Sequence, residues 1–99
     1  VAMEVYTANE FLQEVADTLS QRGIDYDSPE GERSMAKAVE LFNLRTGHRL
    51  TETDGWILLG YLKDVRQDQA GGEHVDSALD RIGYALLEAE SRFRDKMNR

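Results

Sequence analysis

The sequence predicts an all-α fold, a four-helix bundle-like single domain spanning residues 1–99. Three observations carry this. Apolar residues recur at 3.6-residue spacing in four segments, each segment is bracketed by capping and stop residues, and no segment of useful length alternates as a strand would. Only Met3 to Tyr6 has any strand character, and it is too short to count; Val1-Ala2 ahead of Met3 is given no structural weight.

Helix one opens on Thr7-Ala8-Asn9-Glu10, a capping box in which the Thr hydroxyl and the Glu carboxylate satisfy otherwise unpaired backbone N–H groups. Phe11, Leu12, Val15, Ala16 and Leu19 form its stripe, and Gly23 is read as a left-handed stop with Ile24 folding back. Ser28-Pro29 suits an N-cap and a first helical position for helix two, which carries Met35, Ala38, Val39, Leu41, Phe42 and Leu44 and ends at Gly47. Thr51-Glu52-Thr53-Asp54 caps helix three, whose Trp56, Ile57, Leu58, Leu59, Tyr61, Leu62 and Val65 leave it apolar around most of its circumference. Ala70-Gly71-Gly72 ends that helix. Helix four follows, with Leu79, Ile82, Gly83, Leu86, Leu87, Ala89 and Phe93 in one stripe running to a basic tip that suits the helix dipole.

The expected helices are 7–22, 29–46, 52–69 and 75–96. Phe11, Val15, Leu19, Val39, Phe42, Trp56, Leu59, Leu62, Leu79, Ile82 and Leu86 are the expected shared core. Helix three has more apolar positions than one core of this size covers, and Leu41 and Leu44 add a second stripe on helix two. A symmetric homodimer is therefore expected.

Composition narrows the function classes. The absence of cysteine excludes disulfides, thiolate zinc sites and cysteine nucleophiles and fits a reducing cytosol. No apolar run approaches the ~20 residues that span a membrane, and the start lacks the order of a signal peptide, so a soluble intracellular protein is expected. The net charge is −7. Residues 1–33 hold eight acids against two arginines, while the C-terminal tip carries Arg92, Arg94, Lys96 and Arg99. That balance repels a phosphate backbone over most of the surface and argues against direct binding of duplex nucleic acid.

Chemistry-bearing residues concentrate around the Gly-Gly turn. Asp76, Asp80 and Tyr84 stand four apart on one face of helix four, and Lys63 and Arg66 lie at a comparable distance back along helix three. An antiparallel hairpin juxtaposes them, either as an ion-pair lattice that fixes register or as a site. In the site reading, Asp76 and Asp80 hold Mg2+, Lys63 and Arg66 neutralise phosphates, and His74 adds a proton donor. As a bare residue beside a turn, His74 is more often exposed or a cap. The loop from Arg22 to Pro29 offers a cation, the aromatic Tyr26 and helix N–H groups for an anion, yet it also serves simply as a connection. Glu10, Glu14 and Asp17 on helix one read as a wet face first and as metal ligands second. There is no phosphate-binding glycine loop, nucleophile elbow or zinc motif.

Four runs lie within a span, residues 22–87, that covers most of the chain: Arg22-Gly23-x-x-Tyr26-Asp27-Ser28-Pro29-Glu30; Met35-Ala36-Lys37-Ala38-Val39-x-x-Phe42-Asn43-x-x-Thr46-Gly47-His48-x-Leu50-Thr51-Glu52-x-x-Gly55-Trp56; Leu62-Lys63-x-x-Arg66; and Asp76-x-x-x-Asp80-x-x-x-Tyr84-x-x-Leu87. Together they resemble a family of small proteins of unknown function carried by tailed bacteriophages and prophages. The Lys-x-x-Arg and Asp-x-x-x-Asp-x-x-x-Tyr core is more distantly similar to phage domains associated with nucleotide modification and, loosely, to all-α nucleoside triphosphate pyrophosphohydrolases. Those enzymes bind Mg2+ through Glu-x-x-Glu and Glu-x-x-Asp pairs. Here Asp76 and Asp80 are four apart, and the nearest substitute for the first pair is Glu14-x-x-Asp17.

The resemblance implies a phage protein acting in the host bacterial cytoplasm. Its expected role is to bind, and in one version hydrolyse, a nucleotide or related phosphorylated metabolite, with Arg22, Tyr26, Lys63, Arg66, His74 and Tyr84 on the ligand and Asp76 and Asp80 on Mg2+. The alternative is a non-enzymatic inhibitor of a host protein, such as a CRISPR or other defence component, docking through Glu10, Glu14, Asp25 and Asp27.

Overall fold

The structure, a computed structural model, describes residues 7–26 and 34–97. These form α1 (Ala8–Tyr26), α2 (Ser34–Thr46), α3 (Glu52–Gln69) and α4 (Val75–Met97), with no strand among the described residues. The all-α, four-helix expectation stands. No helix among the described residues is long and apolar enough to cross a membrane.

Local chemistry explains the helix bounds. At α1, the Thr7 N–H donates to Glu10 Oε1 at 3.0 Å and the Glu10 N–H donates to Thr7 Oγ1 at 3.2 Å. The same reciprocal box closes α3, where the Thr51 N–H donates to Asp54 Oδ2 at 2.8 Å and the Asp54 N–H to Thr51 Oγ1 at 3.1 Å. Gly71 and Gly72 turn the chain at φ 75° and 86°, a region that L side chains rarely enter. The Gly72 N–H reaches back to Gln67 O at 2.7 Å. Between α2 and α3, the Asn43 amide clamps Leu50 from both sides, donating to its carbonyl at 2.8 Å and accepting its N–H at 2.9 Å.

Two expected bounds need comment. Gly23 does not stop α1, which continues to Tyr26. Glycine permits the left-handed turn but does not compel it, and inside a helix it costs only about 1 kcal/mol relative to alanine. The Ser28-Pro29 start of helix two and the Met3–Tyr6 segment lie outside the described residues.

The antiparallel α3/α4 hairpin is the frame, with α1 packed on α4 and α2 on α3. Its seam is partly polar. Thr53 and Ser91, both buried, share a 2.6 Å hydrogen bond, Glu52 takes Arg94 at 2.8 Å, and Lys63 reaches Asp80 at 2.9 Å. Small residues set the approach of the helices. A Cβ on Gly55 would run into Met35 and Val39 of α2, and one on Gly60 would meet the Arg81 guanidinium at 3.1 Å.

Among the described residues, the buried apolar side chains are Val15, Val39, Trp56 and Leu87. Of the expected core residues, Val15, Val39 and Trp56 are buried. Phe11, Leu19, Leu59 and Leu79 are only half-buried, and Phe42, Leu62, Ile82 and Leu86 are exposed. Because Thr53, Trp56, Gly60 and Lys63 form the inner face of α3, the leucines on its other sides turn outward. A helix that is apolar all round does not announce which face is inner.

Candidate functional site

A cleft of about 310 Å³ opens between α1 and α4. Its floor is Val15, Leu19, Leu79 and Leu87; its polar rim is Glu14, Thr18 and Arg22 from α1 with Asp76, Asp80 and Tyr84 from α4. Helical spacing delivers these groups, since residues three or four apart in each helix share a face and the two faces meet. Gly83 also lines the cleft, and a Cβ there would meet Val15 at an ordinary contact distance of 4.0 Å.

Tyr84 is held from behind. Its ring stacks on Trp56 with centroids 5.7 Å apart and an interplanar angle of 26°. The Trp56 indole N–H donates to Glu52 Oε2 at 3.1 Å, and Glu52 in turn accepts Arg94. The hydrogen bond to Glu52 raises the Arg94 pKa, with Glu90 adding to the effect against the opposing cost of burial. Arg94, Glu52, Trp56 and Tyr84 thus form a continuous support from the end of α4 to the cleft wall.

The ligand and metal groups expected from the sequence divide between this cleft and its surroundings. Arg22, Asp76, Asp80 and Tyr84 line it. Lys63 approaches from the α3 side and is taken by Asp80, so this pair belongs to the hairpin seam as well as to the rim. At the adjacent positions, Arg81 pairs with Asp64 at 3.0 Å. Arg66 is exposed and does not line the cleft. His74 serves as the N-cap of α4: the Ser77 N–H points to its Nδ1 at 3.3 Å, and the Ser77 hydroxyl lies 2.6 Å from the same atom. His48 stacks on Phe42 at 5.9 Å, away from the cleft.

Of the expected acidic docking residues, Glu10 closes the α1 cap and Glu14 faces the cleft. Asp17 instead accepts a hydrogen bond from Gln13 on the exposed side of α1. The side chains of Asp25 and Tyr26, and Asp27 entire, lie outside the described residues.

Among the described residues no three His, Asp or Glu side chains converge as a metal-binding group. Asp76 and Asp80 both line the cleft.

What sequence reasoning missed is the identity of the facing helix. It paired α4 with Lys63 and Arg66, whereas the carboxylate and tyrosine face also turns toward α1. The signal was present in Glu14, Thr18 and Arg22, which repeat at four-residue spacing. Comparison with known proteins finds no matching family model, no similar curated protein and no similar solved structure. The cleft therefore has to be read from its own chemistry.

Proposed function

We propose that this protein binds a small phosphorylated ligand of the nucleotide class, as its Mg2+ complex, in the α1/α4 cleft. One observation carries the reading: Arg22 from α1 and Asp76, Asp80 and Tyr84 from α4 meet around a single concavity of about 310 Å³. That volume lies at the lower end of the small-molecule range of ~300–1,000 Å³.

Each group has a role. Arg22 has an interaction within the chain, and its five N–H donors allow it to contact a phosphate as well. Asp76, with the side of Asp80 not taken by Lys63, carries the cation. The apolar floor and the backed ring of Tyr84 receive a base. Hydrolysis would add a need for a water-activating carboxylate, and Glu14 on the opposite wall is the residue to test for it. The motif resemblance to tailed-phage proteins supports a role during infection, in the host bacterial cytoplasm.

The rival reading is an inhibitor that docks on a host protein through acidic side chains. It is less well supported, because Glu10 and Glu14 already have places in the cap and the cleft.

Titration calorimetry and thermal unfolding with Mg2+ and a panel of nucleoside mono-, di- and triphosphates test the proposal. A ligand at ~100 times its Kd stabilises the fold by about 2.7 kcal/mol, or roughly 10 °C or more in a domain of this size. Asp76→Asn and Arg22→Ala should abolish the shift, while Arg66→Ala should leave it intact. Glu14→Gln should retain binding and remove any phosphate release. No response to any member of the panel refutes the reading.

A further inference from the structure

Leu58, Tyr61, Leu62 and Val65 are 65%, 59%, 43% and 52% exposed, although they stand at i, i+3, i+4 and i+7 along α3. This spacing makes one stripe, and it lies on the side of the helix opposite Trp56, Gly60 and Lys63. Together the four side chains expose roughly 400 Å² of mostly apolar surface, within the range of the largest patches on monomers, which are often functional.

We infer that this stripe is a self-association surface on which two copies pack α3 antiparallel about a two-fold axis between Tyr61 and Leu62. A symmetric contact requires a patch that is its own complement. Leu59 is half-buried, and the exposed apolar positions 58, 61, 62 and 65 have a spacing that reads identically in both directions. The axis therefore sets Leu58 level with Val65 of the second copy and Tyr61 level with its Leu62, leaving none of the four unmatched.

Charge opposes self-association less at this stripe than over the rest of the surface. A chain of net charge −7 repels its own copy over most of its surface. Beside the stripe that repulsion is reduced, because Asp64 is paired with Arg81 and Asp54 is engaged in the Thr51 cap. Two such stripes with their flanking residues bury on the order of 1,000 Å² in total, the lower bound for a specific interface. This surface lies apart from the α1/α4 cleft, so the inference stands independently of the proposed ligand.

Sedimentation velocity across the micromolar range tests it. The wild-type chain should pass from monomer to dimer. Leu58→Glu and Leu62→Glu should each raise the dimer Kd by about tenfold or more with helicity unchanged. Leu41→Glu on α2, at a position 68% exposed, should have no effect. Because the chain has no cysteine, disulfide trapping reads the direction of packing. Leu58→Cys mixed with Val65→Cys should cross-link, and Leu58→Cys alone should not, since its two copies would lie ~10 Å apart along the axis. A strict monomer, a dimer indifferent to the two glutamates, or efficient self-cross-linking of Leu58→Cys would overturn the inference.

Discussion

Removing the Asp80 carboxylate tests the hairpin seam most directly. The Lys63 side chain is 12% exposed and Asp80 35%, with 2.9 Å between charged atoms. Breaking a fully buried pair by deleting one partner costs about 3–5 kcal/mol, because the remaining charge is left out of water. An exposed pair contributes about 0.2–1 kcal/mol. Here the cation is largely covered and the anion only partly so, which places Asp80→Asn near 2 kcal/mol, or about 8–16 °C in melting temperature for a domain of this size. The neighbouring Asp64–Arg81 pair supplies the internal control. Its side chains are 50% and 38% exposed, so Asp64→Asn should cost at most about 1 kcal/mol. Urea and thermal unfolding followed by circular dichroism, without ligand, give both numbers. The double variant Lys63→Met/Asp80→Leu should recover at least half of the Asp80→Asn loss, since an apolar pair leaves no stranded charge. Equal costs for Asp80→Asn and Asp64→Asn, within about 0.5 kcal/mol, would show that Lys63 reaches water by another route and would refute the reasoning.

Two further substitutions probe local structure. Gly55→Ala gains about 1 kcal/mol of helix propensity, yet its Cβ meets Met35 and Val39, an overpacking cost of about 1–3 kcal/mol; the urea midpoint should fall, whereas Gly60→Ala, which meets only the flexible end of Arg81, should leave it level or raise it. His74→Ala should lose about 1 kcal/mol of capping at α4 and His74→Asn should keep most of it, measured by the same unfolding curves; equal losses would mean that the ring is not the cap.

The boundaries legible in the sequence were those written in short-range chemistry. The bounds of α3 and the start of α4 follow from the Thr51 box and the Gly71-Gly72 turn, both complete within a few residues. The end of α1 was misread because Gly23 carries a permission rather than an instruction. The core was harder, since periodicity reports that a face exists and not what lies against it. On α3 that ambiguity is extreme: the inner face holds Thr53, Gly60 and Lys63, while Leu58, Leu62 and Val65 look outward. The same limit shaped the site. Asp76, Asp80 and Tyr84 were rightly placed on one face of α4, but their second wall is α1, whose position depends on packing more than fifty residues away in sequence.

The polar contacts between α3 and α4 also bear on the order in which the molecule assembles. The hairpin joins neighbouring segments across a short turn, so its contacts close small loops and form early at little entropic cost. Helix α1 must come from the far end of the chain and finds a more limited surface waiting for it. Amide exchange should therefore reveal two tiers, with the inner faces of α3 and α4 protected to the level of global unfolding and α1 released by a smaller, separate opening. The cleft is walled by this late-arriving helix. It comes into being only with the final docking step and vanishes with the first undocking, so an occupant would act as a latch on α1 and draw its exchange toward that of the hairpin.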